Sequence, residues 1–409
     1  MKKLPPRTTY LILEFCAALF FGLVFNVNMV YQATVAHLTP LQLVLIGTIL
    51  ESSVFLFEIP TGVLADVKSR RLSIIIGYFL IGAGFLVEGS APVFWAIALA
   101  QVLWGIGYTF TSGATQAWIA DEIGDKDGQG EDVGQVFLRG AQMNRIGGLI
   151  AIPISVGLGS LILTLPILLG GALMILLAIF LIFAMSEHGF TPTPSAERTT
   201  WAMMRKTVGD ARGLIRRQPL LLSVLVIGVF YGLYSEAFDR LWTPHFLQNC
   251  APDLSQIKPV VWLGAMNTLG MLLSLVVTEI VRRRVDVRQS RALARFLMLN
   301  AGVMVLALAG FGLAPTFWPA LVAFWVFGVA RSVAGPLQTT WVNGYIDDPQ
   351  VRATMLSVSS QTDAIGQIVG GPFLGAIGNR SIRAALVVAA VILSPVIPLY
   401  AATRRRAKI

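Results

Sequence analysis

Two cysteines and three histidines in 409 residues leave little material for a disulfide framework or a metal centre. Cys16 and Cys250 match no ligand spacing, and His37, His188 and His245 fall in separate stretches. Charge is scarce too: 13% of the residues are Asp, Glu, Lys or Arg, where a soluble domain carries about 25%. The chain has no Gly-x-x-x-x-Gly-Lys-Ser/Thr loop for a nucleotide, no His-Glu-x-x-His metal helix and no Gly-x-Ser-x-Gly nucleophile turn. These absences argue against ATP-driven work and against hydrolysis by those routes. No enzyme activity, metal or cofactor is expected.

Apolar sequence fills the chain instead. Hydrophobic residues make up 55% of it, with a mean hydropathy of +0.72. Apolar windows of about 20 residues, the length that crosses hydrocarbon as a helix, recur about twelve times between residues 10–35 and 384–401. The net charge of +9 does not point to nucleic acid, because the basic residues cluster beside span ends. Lys68, Arg70, Arg71, Arg282, Arg283, Arg284, Arg404, Arg405 and Arg406 fall on one side of a twelve-span topology. The opposite loops hold Arg240, Lys258, Arg380 and Arg383. That asymmetry predicts a multi-pass protein of the cell (inner) membrane with both termini cytoplasmic and the basic face against lipid headgroups. The first apolar run has span length and no A-x-A-type cleavage site, so no removable signal peptide is expected.

Residues 187–219 form the one long polar stretch, with Pro192, Pro194 and a basic amphipathic run at 203–217. It separates a predicted N-terminal bundle, 1–186, from a C-terminal one, 220–409. The halves echo each other at an offset of about 220 residues. Asp66, Lys68 and Arg71 recur as Asp286, Arg288 and Arg291; Trp104, Gly107, Gly113, Gln116 and Trp118 recur as Trp325, Gly328, Gly335, Gln338 and Trp341. Gly147, Pro153 and Gly159 recur as Gly366, Pro372 and Gly378. Two parallel six-helix halves related about the membrane normal are a transporter design.

The elbow between the second and third spans reads Gly62-x-x-x-Asp66-x-Lys68-x-Arg70-Arg71. It resembles the signature found there in the major facilitator superfamily, with Ser69 where the signature has Gly. The six-loop-six layout extends that resemblance over essentially the whole chain. It implies an all-α polytopic membrane protein with twelve transmembrane helices in two pseudo-symmetric six-helix bundles. It also implies that the elbow latches the halves when the carrier is open outward, Arg70 pairing with an acid at the end of the fourth span, either Asp121 or Glu122. Gly62, lacking a side chain, allows close helix approach, and Asp66 is placed to meet the positive end of a helix. The run from Gly148 to Gly157 is similar to the fifth-span pattern of proton-coupled exporters, with Ile152 and Val156 in place of two glycines. In the fourth span, Gln101 stands where many drug exporters of the superfamily carry Arg.

Coupling to protons needs a titratable group at depth, and none of the histidines lies there. The carboxylates Asp363 and Glu51 lie near mid-membrane, with Glu14 and Glu58 nearer the cytoplasm. Asp363 leads and Glu51 follows. Arg145 and Arg331 lie near the same depth, where each charge costs at least about 2.5 kcal/mol and has to face a cavity or a carboxylate. A permanent ion pair that fixes packing is the structural alternative for each. The expected cavity face comprises Asn26, Asn28, Tyr31, Gln32, Gln101, Trp104, Tyr108, Asn144, Tyr231, Tyr234 and Glu236, a mixture of aromatic and polar groups suited to amphiphilic organic molecules. The resulting expectation is a monomeric, proton-coupled antiporter of the drug-exporting group, moving amphiphilic drugs or metabolites by alternating access. A nutrient or organic-anion symporter or uniporter is the alternative within the fold, with the two arginines holding an anion. A receptor or intramembrane enzyme on the same scaffold is the alternative outside it.

Overall fold

The computed structural model describes residues 3–124, 132–192, 219–253, 256–285, 289–344 and 349–406. The basic run 203–217, with most of the linker, and Asp286 and Arg288 of the second elbow lie outside the described residues. Every regular element among the described residues is a helix. They are α1 (Pro6–Phe25), α2 (Asn28–Thr34), α3 (Pro40–Val67), α4 (Arg70–Ser90), α5 (Phe94–Thr111), α6 (Ala114–Ile123), α7 (Val133–Leu161) and α8 (Thr164–Ala184). They continue as α9 (Pro219–Asn249), α10 (Pro259–Arg284), α11 (Ser290–Leu313), α12 (Phe317–Asn343), α13 (Pro349–Arg380), α14 (Ile382–Leu393) and α15 (Val396–Arg406).

Among the described residues, eleven helical stretches are long and apolar enough to cross a membrane. Three of them are broken spans, α1 with α2, α5 with α6, and α14 with α15. The break between α5 and α6 falls at Gly113, whose φ of 73° is a conformation that side-chain-bearing residues rarely adopt. The remaining helix, α13, is 32 residues long but too polar to reach the same hydropathy. Its middle carries Ser359, Ser360, Gln361, Thr362, Asp363 and Gln367. Helix starts follow ordinary capping chemistry. Ser69 accepts from the Leu72 N–H at the start of α4, and Ser381 from the Ala384 N–H at the start of α14.

The chain divides into two compact units, Met1–His37 with Ile49–Met204, and Leu38–Thr48 with Arg205–Ile409. Their internal packing is alike. In the first unit α1 packs on α7, and α4 packs on α5 and α8; in the second α9 packs on α13, and α11 packs on α12 and α14. The repeated glycines serve the equivalent contact in both. A Cβ at Gly147 would run into the Phe15 carbonyl and Leu19 N of α1, and one at Gly366 into the Val229 carbonyl and Leu233 N of α9. Contact this close between backbones requires a residue without a side chain and is typical of membrane helix pairs. The second unit also holds the start of α3, where the Leu41 N–H donates to Asn379 Oδ1 at 2.8 Å.

Gly147→Leu and Gly366→Leu should each force their helix pair apart. Thermal unfolding of the detergent-solubilised chain should register a loss of about 1–3 kcal/mol for either, whereas Gly148→Leu, where a Cβ meets nothing within 4 Å, should stay near wild type.

Candidate functional site

The elbow between α3 and α4 is a bonded junction inside the first unit. Arg70 pairs with the carboxylate of Asp121 and donates to the Ala117 carbonyl at 2.9 Å, both on α6. Of the two acids the elbow motif left open, Asp121 therefore faces Arg70. Glu122 turns the other way. It accepts from Ser186 Oγ at 2.5 Å, from the Gly189 N–H at 2.6 Å and from the His188 N–H, tying the segment after α8 to the end of α6. Glu187, which the motif does not include, accepts from Ser69 Oγ at 2.6 Å and from the Arg71 N–H at 2.9 Å, while Arg71 Nη2 reaches the Ile182 carbonyl at 2.5 Å. Lys68 is exposed and Asp66 half-buried. The close helix approach expected at Gly62 is absent among the described residues, since a Cβ there would meet nothing within 4 Å.

A cavity of about 410 Å³ lies in the second unit and one of about 560 Å³ in the first. The first-unit cavity is walled by Phe21 and Phe25 of α1, Tyr78 of α4, and Trp104 and Tyr108 of α5. The break at Gly113 supplies Thr111, Ser112, Thr115 and Gln116 to the same wall. Among the described residues, Glu14 is its one acid, held by Asn144 Nδ2 of α7 at 3.1 Å. The Phe25 and Trp104 ring centroids lie 5.0 Å apart with their planes tilted by 48°, and the Trp104 indole nitrogen has no hydrogen-bond partner among the described residues. Glu14, Trp104, Tyr108 and Asn144 are thus brought together, with Phe21, Phe25 and Gln116 joining them. Gln116 was visible in the sequence as a repeat position; the phenylalanines had no signal to separate them from ordinary span residues.

Five other expected cavity residues sit elsewhere in this unit. Tyr31, Gln32 and Gln101 converge on Glu88 of α4, a fully buried carboxyl. Asn26 Nδ2 bonds the Gly22 carbonyl of its own helix at 2.6 Å, and Asn28 is buried. Glu88 escaped the sequence reading because it lies next to the end of its span, Ser90, rather than at mid-depth.

In the second unit, Tyr231, Tyr234, Arg331 and Asp363 share one cavity with Gln338, Thr339, Ser359, Ser360 and Gln367. Arg331 is bidentate on Asp239 of α9, with Nη2 to Oδ2 at 2.8 Å, and its guanidinium lies 5.9 Å from the Phe238 ring centroid. Asp239 belonged to no sequence motif. Asp363 accepts from Gln367 Nε2 at 2.8 Å, the partner one helical turn on. Glu236 is not in the cavity; it is buried in an i,i+4 pair with Arg240 at 2.9 Å, facing Gly47 at the start of α3. Glu51 is half-buried and Glu58 exposed, and neither lines either cavity. Arg145 is exposed and makes no ion pair among the described residues, so the partner carboxylate that its depth implied is not found within its own unit.

Two helical units of matching topology, built of membrane-length helices and each holding a cavity lined by aromatic and polar groups, are the build of a secondary transporter. The sequence profile of the Major Facilitator Superfamily matches residues 10–357, and the chain belongs to that superfamily. It is therefore a multi-pass membrane transport protein of a family that moves small molecules. YxaM of Bacillus subtilis (strain 168), an uncharacterized MFS-type transporter, is 26% identical over 371 residues, or 88% of this chain and 86% of that protein. Among solved structures, the nucleoside transporter NupG matches with a TM-score of 0.72 at 14% identity, covering 98% of this chain and 100% of that one. A bacterial homolog of the human lysosomal transporter Spinster reaches 0.73 at 16%, covering 98% and 97%. A POT family transporter in complex with 5-aminolevulinic acid reaches 0.70 at 13%, covering 98% and 96%. At these identities the likeness to the three structures is one of fold.

A double-mutant cycle on Arg331→Ala and Asp239→Ala should give a coupling of about 1 kcal/mol in thermal stability, the double variant being more stable than the single effects sum to. The pair Arg331→Ala and Asp363→Asn should be closer to additive.

Proposed function

We propose that this carrier exports amphiphilic organic compounds, cationic ones above all, in exchange for protons by alternating access between bundles 1–186 and 220–409. The observation that supports it is the first-unit cavity: one carboxylate, Glu14, set among Phe21, Phe25, Tyr78, Trp104 and Tyr108. Aromatic faces and a single acid attract an organic cation by cation–π and charge interactions while leaving its apolar body unspecified. Asp363 suits the proton-carrying role, since it lines the second-unit cavity while the charge of Arg331 is engaged by Asp239. The elbow, through Arg70 and Asp121, serves as the conformational latch. The basic residues beside the span ends favour cytoplasmic termini in the cell (inner) membrane, with lipid headgroups as neighbours and the monomer as the working unit.

A second reading, uptake of a polar nutrient or organic anion, draws on Arg331 and the hydroxyl and amide groups beside it, and on the nucleoside and POT family carriers that share the fold. The bidentate hold of Asp239 on Arg331 weighs against an anion clamp, because a guanidinium fork already filled by one carboxylate has less to offer another.

An efflux-deficient host expressing the chain should accumulate less of a lipophilic cationic dye, and a protonophore should abolish the difference. Glu14→Gln should raise the half-saturating concentration of cationic substrates about tenfold, the equivalent of 1.4 kcal/mol, and leave uncharged ones unchanged. Asp363→Asn should remove the protonophore sensitivity. Accumulation of a labelled nucleoside or peptide inside intact cells, with no dye depletion, would replace this reading with the second.

A further inference from the structure

Glu88 lies two residues from the end of α4, with its side chain fully buried. From the elements packed around it, α2 presents Tyr31 and Gln32, α5 presents Gln101, and α8 presents Ile167 and Leu168 against the adjacent Gly89. Tyr31 is the other titratable group of this set, and its hydroxyl donates to the Glu88 backbone carbonyl at 2.7 Å rather than to the carboxyl. Gln32 Nε2 lies 2.7 Å from Glu88 Oε1, and Gln101 Nε2 lies 3.4 Å from Oε2. The amide oxygens of the same two glutamines are buried and have no donor among the described residues.

A carboxylate offers lone pairs and no hydrogen, so an ionised Glu88 satisfies neither glutamine oxygen. A carboxylic acid adds one O–H. Rotating the Gln101 amide by half a turn puts its oxygen in place of its nitrogen, an exchange nearly neutral in shape. That oxygen then accepts the Glu88 O–H, while the NH2 group moves to the position the oxygen held, so the exchange supplies a donor to the amide oxygen and gives up the N–H contact to Glu88. The 3.4 Å separation is long for a charge-assisted N–H bond, which is ordinarily about 2.7–2.9 Å. We propose that Glu88 is a proton-binding site within the first unit, its carboxyl O–H shared with the Gln101 amide. The site joins α2, α4 and α5. Gln101 precedes Trp104 and Tyr108 by three and seven residues, so the helix that accepts the proton's bond also carries two walls of the first-unit cavity. Gain or loss of that proton would thus bear on the packing of α5 where substrate is proposed to lie. The inference rests on the proton-coupled reading above for the use of the proton; its occupancy is a separate quantity that needs no substrate.

Infrared pH-difference spectroscopy of the full chain in liposomes tests it. The wild-type protein should show the C=O stretch of a buried protonated carboxyl that persists in neutral buffer. Glu88→Gln should abolish that band, and Glu14→Gln and Asp363→Asn should retain it. Gln101→Leu, which removes the acceptor, should move the band to higher frequency. A full-intensity band in Glu88→Gln, or an unmoved one in Gln101→Leu, overturns the proposal. If Glu88→Gln does not assemble, the Gln101→Leu spectrum decides alone. A Glu88 band in a protein that moves no protons with any dye would sink the antiport reading and leave this site standing.

Discussion

Hydrocarbon supplies no hydrogen bonds and no counter-charge, so each polar group on a membrane helix has to find its partner within the protein. That constraint accounts for the placement of most of the polar side chains described above. Arg331 reaches across 92 residues of sequence to Asp239, Gln32 across 56 to Glu88, and Asn144 across 130 to Glu14. Serine and threonine hydroxyls turn back onto their own helices, as Thr48 does to the Val44 carbonyl and Ser53 to that of Ile49. Helices so occupied leave their small residues free for packing, and the repeated glycines at 147 and 366 set α7 on α1 and α13 on α9.

Within this shared topology the two units carry different chemistry. The first has an aromatic cavity with one acid, opened where Gly113 interrupts the fourth span. In the second, the equivalent helix α12 runs unbroken through Gly335 and Pro336, and its cavity is lined by hydroxyls, amides and an arginine engaged by Asp239. The two units thus share the helix pairing, which depends on glycine spacing, and differ in the residues that line their cavities. In the proposed antiport, the aromatic walls around an acid would take the amphiphile and the polar, ion-paired cleft the proton.

Much of the fold could be read from the chain because a span is a local property. Twenty apolar residues form a helix in a bilayer whatever surrounds them, and a glycine or proline repeat marks the same contact twice. The site was legible in pieces. Glu14, Asp363 and Arg331 stood out as charges in apolar surroundings. Asp239 did not, because Asp239 and Arg240 at the far end of a span look like boundary residues. Tyr31, Gln32 and Gln101 were assigned to a cavity on polarity alone, whereas they serve Glu88; a sequence gives the angle of a residue on its helix but not the helix it faces.

The sequence by itself determined that the chain spans the membrane as repeated helical halves and that a charged elbow follows the second span. Length, hydropathy and spacing act within one segment, so no knowledge of neighbours is needed. Tertiary structure alone decided which acid serves which base: Asp121 rather than Glu122 for Arg70, Asp239 rather than Asp363 for Arg331, and two glutamines for Glu88. Pairing energy depends on distances of a few ångströms between atoms far apart along the chain, and those distances exist only once the helices have packed.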